Sequence, residues 1–410
     1  MEAVEVPSYF LCPISLQIMR DPVTLATGIT YDRESIEQWI FSGGHATCPV
    51  TKQPLPDSSE LTPNHTLRRL IQAWCAANAS NGIERFPTPR PPVDRAQITA
   101  LLEDAKLPHA LLPCLRKMKK LVAESERNKR SIEAAPGVLD FLASVLSGSF
   151  EPPDDRGEGA SSAGDEALNI LCSLQVSDRG LRRLLERHEG ILDSLTSVLR
   201  RSNFDQSRAY AVLMIRSLLG VSPSSLLMNL KKEFFEVIVK VLRDRISYQA
   251  MKAALQVLYG VCSCRRNRAK AVGAGTVAVL IDLLLDEQEK RACEMMLVVL
   301  EELCGCAEGR TEIIGHAAGL AVVSKKIIRV SPEASKRAVR VLYMVALYAA
   351  SPTVLEEMAQ VGAVAKLCLV MRMESGKKVR EMAREILRMH SRVWRSSPCL
   401  SPELRGMYPS

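Results

Sequence analysis

One leucine keeps returning along the chain. Leu171, Leu213, Leu258, Leu300, Leu342 and Leu387 each sit mid-way in a long Ala-rich apolar stretch, at steps of 42, 45, 42, 42 and 45 residues. Ahead of each lies a shorter phrase in which turn residues introduce an apolar run: 135–142, 188–192, 232–238, 273–277, 317–321 and 361–364. Five carry a glycine, Gly137, Gly190, Gly275, Gly319 and Gly362, at steps of 53, 85, 44 and 43, the 85 spanning two units. Within each unit apolar residues recur every three to four positions, the spacing of one helix face. A helical unit of this length buries that face only against its neighbours, so residues 96–394 are constrained to a stack of about six units. Each unit reads as a short helix, a turn and two longer helices, wound into a right-handed superhelix.

Composition supports helices. Aromatic residues make up only 5% of the 410. A sandwich or barrel draws on more Tyr, Phe and Trp, so the apolar weight here falls on Leu, Val, Ala and Ile. The 47% hydrophobic and 24% charged shares exclude wholesale disorder. The period lies in the range of armadillo and HEAT arrays. The 53-residue step has a cause: a polar, Gly- and Pro-rich insertion at 147–165 reads as a surface loop. Residues 395–410 are polar, contain Ser397-Pro398 and Ser401-Pro402, and are expected to form a flexible tail.

No window approaches the roughly 18 apolar residues of a membrane span; the most apolar run, 277–285, is broken by Asp282. The opening Met1-Glu2-Ala3-Val4 lacks the regions of a secretory signal, and neither end carries a lipidation box. A cytoplasmic protein is expected, with nuclear or peripheral membrane association also compatible. The 12 Cys then lie in a reducing compartment, and no Cys-x-x-Cys occurs. The pairs Cys262/Cys264 and Cys304/Cys306 stand one repeat apart and read as small apolar residues of helices. Residues 1–90 carry 7 basic and 9 acidic side chains, net −2, which leaves +10 on the remainder. Its charges are interspersed, so a groove for acidic protein partners is expected and no nucleic-acid partner.

Residues 5–80 differ in kind. Residues 19–25, Thr27-Gly28 and 29–31 read as a small β-hairpin. Asp32 is placed to cap a helix running to about Phe41, with Ile36 and Ile40 on one face and Gly43-Gly44 to stop it. A second helix is expected over 64–77, with Leu67, Leu70, Ile71 and Trp74 on its apolar side. Residues 81–95, rich in proline, form a semi-rigid linker. Two cross-braced zinc ions would need about eight ligands. The first 80 residues offer Cys12, Cys48, Cys75, His45 and His65. Cys12, His45 and Cys48 lack a fourth partner for even one zinc, so no metal or cofactor is expected. No phosphate loop, nucleophile elbow or His-Glu-x-x-His appears, which removes hydrolase and kinase readings.

Four blocks in order carry a resemblance. They are Leu11-Cys12-Pro13-Ile14 with Asp21-Pro22-Val23, Gly28-Ile29-Thr30-Tyr31-Asp32-Arg33-Glu34 with Trp39, Cys48-Pro49-Val50-Thr51, and Thr62-Pro63-Asn64-His65 with Trp74. Together they resemble a U-box, and the array behind them is similar to the armadillo half of plant U-box ubiquitin ligases. That group includes members acting in stress and immune signalling. The implied fold is a small α+β, RING-like but zinc-free module followed by an all-α armadillo superhelix. Cys12, Asp21, Val23, Asp32 and Arg33 take structural places in it.

The resemblance implies an E3 ubiquitin ligase acting without a covalent intermediate. Two loops and the central helix would bind a ubiquitin-charged conjugating enzyme through Ile14, Trp39 and Pro49. A substrate lysine, presented by the array, would attack the thioester, and the ligase would supply proximity and orientation. No residue acts as nucleophile. Lys52 stands where some members carry an arginine that links both partners; lysine lacks the planar two-sided fork. Arg68 and Arg69 read as solvated helix charges. Groove residues are expected around Arg337, Arg340 and Tyr343. One alternative is an armadillo scaffold with a degenerate U-box. Another is a thioester-forming ligase using Cys12 or Cys48, each directly before a proline. A homo-oligomer is compatible with either.

Overall fold

The computed structural model describes residues 6–55, 61–81, 83, 92–148, 162–201, 204–287, 289–373 and 376–395. The linker at 82 and 84–91, most of the insertion at 147–165 and the tail from 396 lie outside the described residues. The chain divides into two compact units between Phe141 and Leu142.

The first unit opens with a three-stranded antiparallel sheet: β1 (Pro22–Thr24) lies between β2 (Thr30–Asp32) and β3 (Thr62–Pro63). Val23 stands opposite both Tyr31 and Pro63. The proline is accepted because β3 is an edge. Helix α1 (Arg33–Glu37) runs directly into a π-helical turn, Gln38–Ser42, instead of continuing as one α-helix to Phe41. Helix α2 (His65–Ala77) is capped by the Asn64 side chain, which accepts from the Leu67 amide. Phe10, Met19, Val23, Tyr31, Ile36 and Ile71 fill the core together with the buried thiols of Cys12, Cys48 and Cys75. Leu70, expected inside, is exposed; Cys75 closes the helix face in its place.

Three helices complete this unit: α3 (Arg95–Asp104), α4 (Pro108–Glu124) and α5 (Glu126–Ala134). Buried Asn128 ties them together. Its Oδ1 accepts from the Val93 amide and its Nδ2 donates to the Leu121 carbonyl, both at 2.9 Å.

Helix α6 (Val138–Gly148) spans the division, and α7 (Ala163–Leu174) follows the insertion. Five helix triplets then stack in the second unit. They are α8 (Asp178–Arg187), α9 (Ile191–Arg200) and α10 (Asp205–Val221); α11 (Ser224–Met228), α12 (Lys232–Asp244) and α13 (Tyr248–Cys262); α14 (Arg265–Gly273), α15 (Thr276–Asp286) and α16 (Lys290–Cys304); α17 (Ala307–Gly315), α18 (Gly319–Lys326) and α19 (Pro332–Tyr348); α20 (Pro352–Gln360), α21 (Ala363–Arg372) and α22 (Lys377–Met389). The third helix of each triplet packs on its counterpart in the next. Gly275 turns the chain at a positive φ of 79°, a conformation costly for any other residue. Gly319 admits no Cβ because one would sit 1.9 Å from the Ile313 carbonyl oxygen. Lysines bind the repeats: Lys240, Lys326 and Lys366 donate to the Arg200, Glu287 and Ser324 carbonyls near the ends of preceding second helices. A short helix, α23 (Ser391–Arg395), closes the stack with fully buried Trp394, whose indole N–H donates to the Leu355 carbonyl at 2.8 Å. No helix among the described residues is long and apolar enough to cross a membrane.

Candidate functional site

Two loops of the first unit share one construction. The first runs Cys12-Pro13-Ile14-Ser15-Leu16-Gln17 and the second Cys48-Pro49-Val50-Thr51-Lys52-Gln53. In each, the cysteine amide donates to the glutamine carbonyl, at 2.8 and 2.9 Å. The fifth residue's amide returns to the cysteine carbonyl, again at 2.8 and 2.9 Å. The fifth residue, Leu16 or Lys52, has a positive φ of 57° or 59°. Neither is glycine, so each loop holds a conformation that costs about 1 kcal/mol or more and that its hydrogen bonds must maintain. An isolated bridge closes each loop base, Leu11 with Ile18 and Thr47 with Pro54.

Both loops are tied to β2. The Asp32 amide donates to Cys12 Sγ at 3.3 Å, and Asp32 Oδ1 accepts from the Arg20 and Asp21 amides at 2.7 and 2.9 Å. The Asp32 side chain therefore fastens the chain after the first loop and does not cap α1. Its neighbour Tyr31 reaches the other loop: its hydroxyl bonds Cys48 Sγ at 3.0 Å and accepts from the Val50 amide at 3.3 Å. Burial pushes the Tyr31 phenol upward, and its bond to Cys48 adds to this. Burial also opposes ionisation of the Cys48 thiol, but hydrogen bonds from Thr27, Thr51 and Tyr31 prevail and bring it down to about 6. Both sulfurs are enclosed, so neither is presented to an incoming thioester.

Asp21, on the approach to β1, binds two arginines. Arg33 Nε lies 2.6 Å from Oδ2 and Arg68 Nη1 lies 3.4 Å from Oδ1. Arg68 is thus half-buried and paired, not a solvated charge; Arg69 is exposed. Val23 is fully buried on β1.

Trp39 lies in the π-helical turn with its ring half-buried against the core. Its indole N–H donates to the Thr47 carbonyl at 2.8 Å, which fixes the helix to the second loop. The His45 imidazole stacks on the ring at 4.0 Å between centroids, and Lys52 Nζ stands 5.8 Å from the indole centroid. Ile14 and Pro49 are half-buried at the heads of the two loops. Sequence reading overlooked Leu16 and Val50, which are 75% and 52% exposed. The duplicated Cys-Pro-(Ile/Val)-(Ser/Thr)-x-Gln pattern would have found both, because it equates Val50 with Ile14 and Leu16 with Lys52. A large apolar side chain left in solvent beside a half-buried tryptophan marks a surface suited to protein contact.

In the second unit, Arg337 is committed to Glu301 at 3.0 Å and Glu333 at 2.7 Å, while Arg340 Nε meets buried Glu301 at 2.9 Å. Half-buried Tyr343 is pushed up by burial, with Glu385 adding to the shift. All three residues lie on α19 and each meets a neighbouring repeat, the arginines through Glu301 on α16 and Tyr343 through Glu385 on α22.

The U-box domain family matches residues 6–80, and the armadillo-repeat region of plant U-box proteins matches residues 97–407. The chain is 49% identical over 414 residues to E3 ubiquitin-protein ligase PUB23 of Arabidopsis thaliana, covering 100% of this chain and 98% of that protein. It is 45% identical over 436 residues to E3 ubiquitin-protein ligase PUB22 of the same plant, covering all of both. A solved structure from work on a phosphorylation switch in the cadherin and beta-catenin interaction aligns over 84% of this chain and 61% of its own. Its TM-score is 0.62 at 15% identity, a likeness of fold alone.

Proposed function

This chain belongs to the plant U-box proteins with an armadillo-repeat region and is an E3 ubiquitin-protein ligase; from that premise we propose that its paired loops and π-helical turn seat a ubiquitin-charged conjugating enzyme. Ile14, Trp39 and Pro49 form the contact, joined by Leu16 and Val50. The observation that carries this reading is the half-buried Trp39, pinned to Thr47 between two identically built loops that leave apolar side chains in solvent.

The chemistry belongs to the bound enzyme. A substrate lysine amine attacks the thioester carbonyl, an isopeptide bond forms, and the conjugating enzyme's cysteine leaves as thiol. The ligase restricts the charged pair and brings the lysine near, an entropic contribution. Lys52 supplies a single point charge beside Trp39 and not a bidentate bridge. The third helices of the array hold the substrate. The pathway is read as stress or immune signalling, a reading the family resemblance supports and that loss-of-function plants challenged with each stimulus would test.

Autoubiquitination with purified components tests the site. Wild type should build chains with at least one of a panel of conjugating enzymes, and Trp39→Ala should lose most of that activity. A fully active Trp39→Ala protein would remove this face from the mechanism.

A further inference from the structure

The docking helix touches more than its own domain. The π-helical turn that carries Trp39 also carries Phe41, and the guanidinium of Arg130 on α5 lies over the Phe41 ring, Cζ 3.1 Å from the centroid. One helical turn earlier, Glu37 is buried, and Arg33 Nη1 stands 3.7 Å from its carboxylate. Burial raises the Glu37 carboxyl above its usual range, and Arg130, Arg33 and Arg127 oppose that shift, so the α5 arginines lie within electrostatic reach. Around these groups is a cleft of about 420 Å³ lined by Arg33, Glu37, Phe41, Leu61, Arg127 and Arg130.

Arg130 lies inside the armadillo match, whereas Glu37 and Phe41 lie inside the U-box match. We propose that Arg130 is a positioning residue for the conjugating-enzyme site, so that the first helices of the array complete the docking surface of the U-box. The inference rests on the docking role proposed above for Trp39.

The physical reason is local. A π-helical turn is a strained insertion that persists where its surroundings hold it. Its internal anchors are the Trp39–Thr47 bond and the Gly43 amide, which donates to the Gln38 carbonyl at 2.8 Å. Arg130 adds an external one, covering the exposed side of Phe41 with a planar cation while facing the negative charge of Glu37. Lysine retains the charge but not the planar stack. Loss of Arg130 releases Phe41, and with it the setting of Trp39 two residues earlier.

Full-length protein carrying Arg130→Ala, Arg130→Lys or Phe41→Leu tests this beside wild type and Trp39→Ala. The assay is discharge of ubiquitin from a charged conjugating enzyme to free lysine, with the concentration of charged enzyme varied. Arg130→Ala and Phe41→Leu should each raise KM about three- to tenfold, the scale of a partly desolvated cation–π contact. Their kcat should stay within about twofold of wild type. Arg130→Lys should recover part of the loss, and the Arg130→Ala/Phe41→Leu double variant should be little worse than either single. A KM for Arg130→Ala or Phe41→Leu equal to wild type, while Trp39→Ala has lost docking, overturns the proposal. So does a fall in kcat without a change in KM, since that reports lost folded protein. An unchanged KM for Trp39→Ala overturns the docking site itself, a different failure.

Discussion

Tyr31→Phe isolates one hydroxyl. The ring is wholly buried between β1 and the second loop, and Phe preserves its shape. The variant removes the bond to Cys48 Sγ at 3.0 Å and the acceptor for the Val50 amide at 3.3 Å. A net hydrogen bond contributes about 0.5–1.5 kcal/mol, and both of these are at the weak end because one involves sulfur and the other is long. The expected loss is about 1–2 kcal/mol. A module of this size holds roughly 4–11 kcal/mol in total, so the protein stays folded. The effect should concentrate in the second loop, whose left-handed Lys52 depends on its bonds. Denaturant unfolding measures the stability and hydrogen exchange at the Val50 amide measures the loop. Conjugating-enzyme affinity should fall by up to about thirtyfold, the same energy expressed as binding. Unchanged stability together with wild-type exchange at Val50 would refute the claim that Tyr31 anchors this loop.

Asp21→Ala should be harsher, because it leaves Arg33 buried with only Glu37 at 3.7 Å and releases Arg68; a loss of about 3–5 kcal/mol is expected in thermal unfolding. Cys48 supplies a pH test. Its folded value of about 6 lies below the free thiol's 9.0, so its contribution is fully present above pH 9 and disappears as pH falls through about 6. Stability measured from pH 6 to 9 should rise more steeply in wild type than in Cys48→Ser, and no reducible ubiquitin adduct should form on either. In the array, Gly319→Ala should cost about 2 kcal/mol or more, because the new methyl meets the Ile313 carbonyl. Gly315→Ala, with open space around it, should gain a few tenths by stiffening the unfolded chain; calorimetry of both variants separates the two kinds of glycine.

The repeat was legible because stacked helices impose one period on their buried positions. Leu258, Leu300, Leu342 and Leu387 each stand ten residues past the residue that opens their helix, and all four are fully buried. Leu213 breaks this register: it is half-buried, and Ile215 occupies the equivalent place in α10. A leucine count cannot detect that substitution, because Ile and Leu serve equally in a core. Polar pairings were less visible. Arg68 reads as a surface charge from its helix, yet its partner Asp21 is 47 residues away. Asp32 precedes a helix as a cap does, but the Arg20 and Asp21 amides compete for its carboxylate and win. Periodicity reports which face is inside; it carries nothing about which distant backbone group waits there.

That distinction bears on how this module holds its two loops in place. A metal joins distant loops through one centre. Here successive residues of one strand divide the task, since side chains alternate across a strand. Tyr31 reaches one way to the second loop, while Asp32 fastens the chain after the first and its amide meets Cys12. Cys12 and Cys48 keep the first place in their loops, but their sulfurs accept hydrogen bonds from β2. The two loops therefore keep their spacing only while β2 stays paired with β1, and the proposed docking surface inherits the stability of the sheet. A substitution such as Val23→Ala, far from any partner protein, should weaken conjugating-enzyme binding as it loosens the pairing of Val23 with Tyr31. A module fixed by an ion would transmit that change far less.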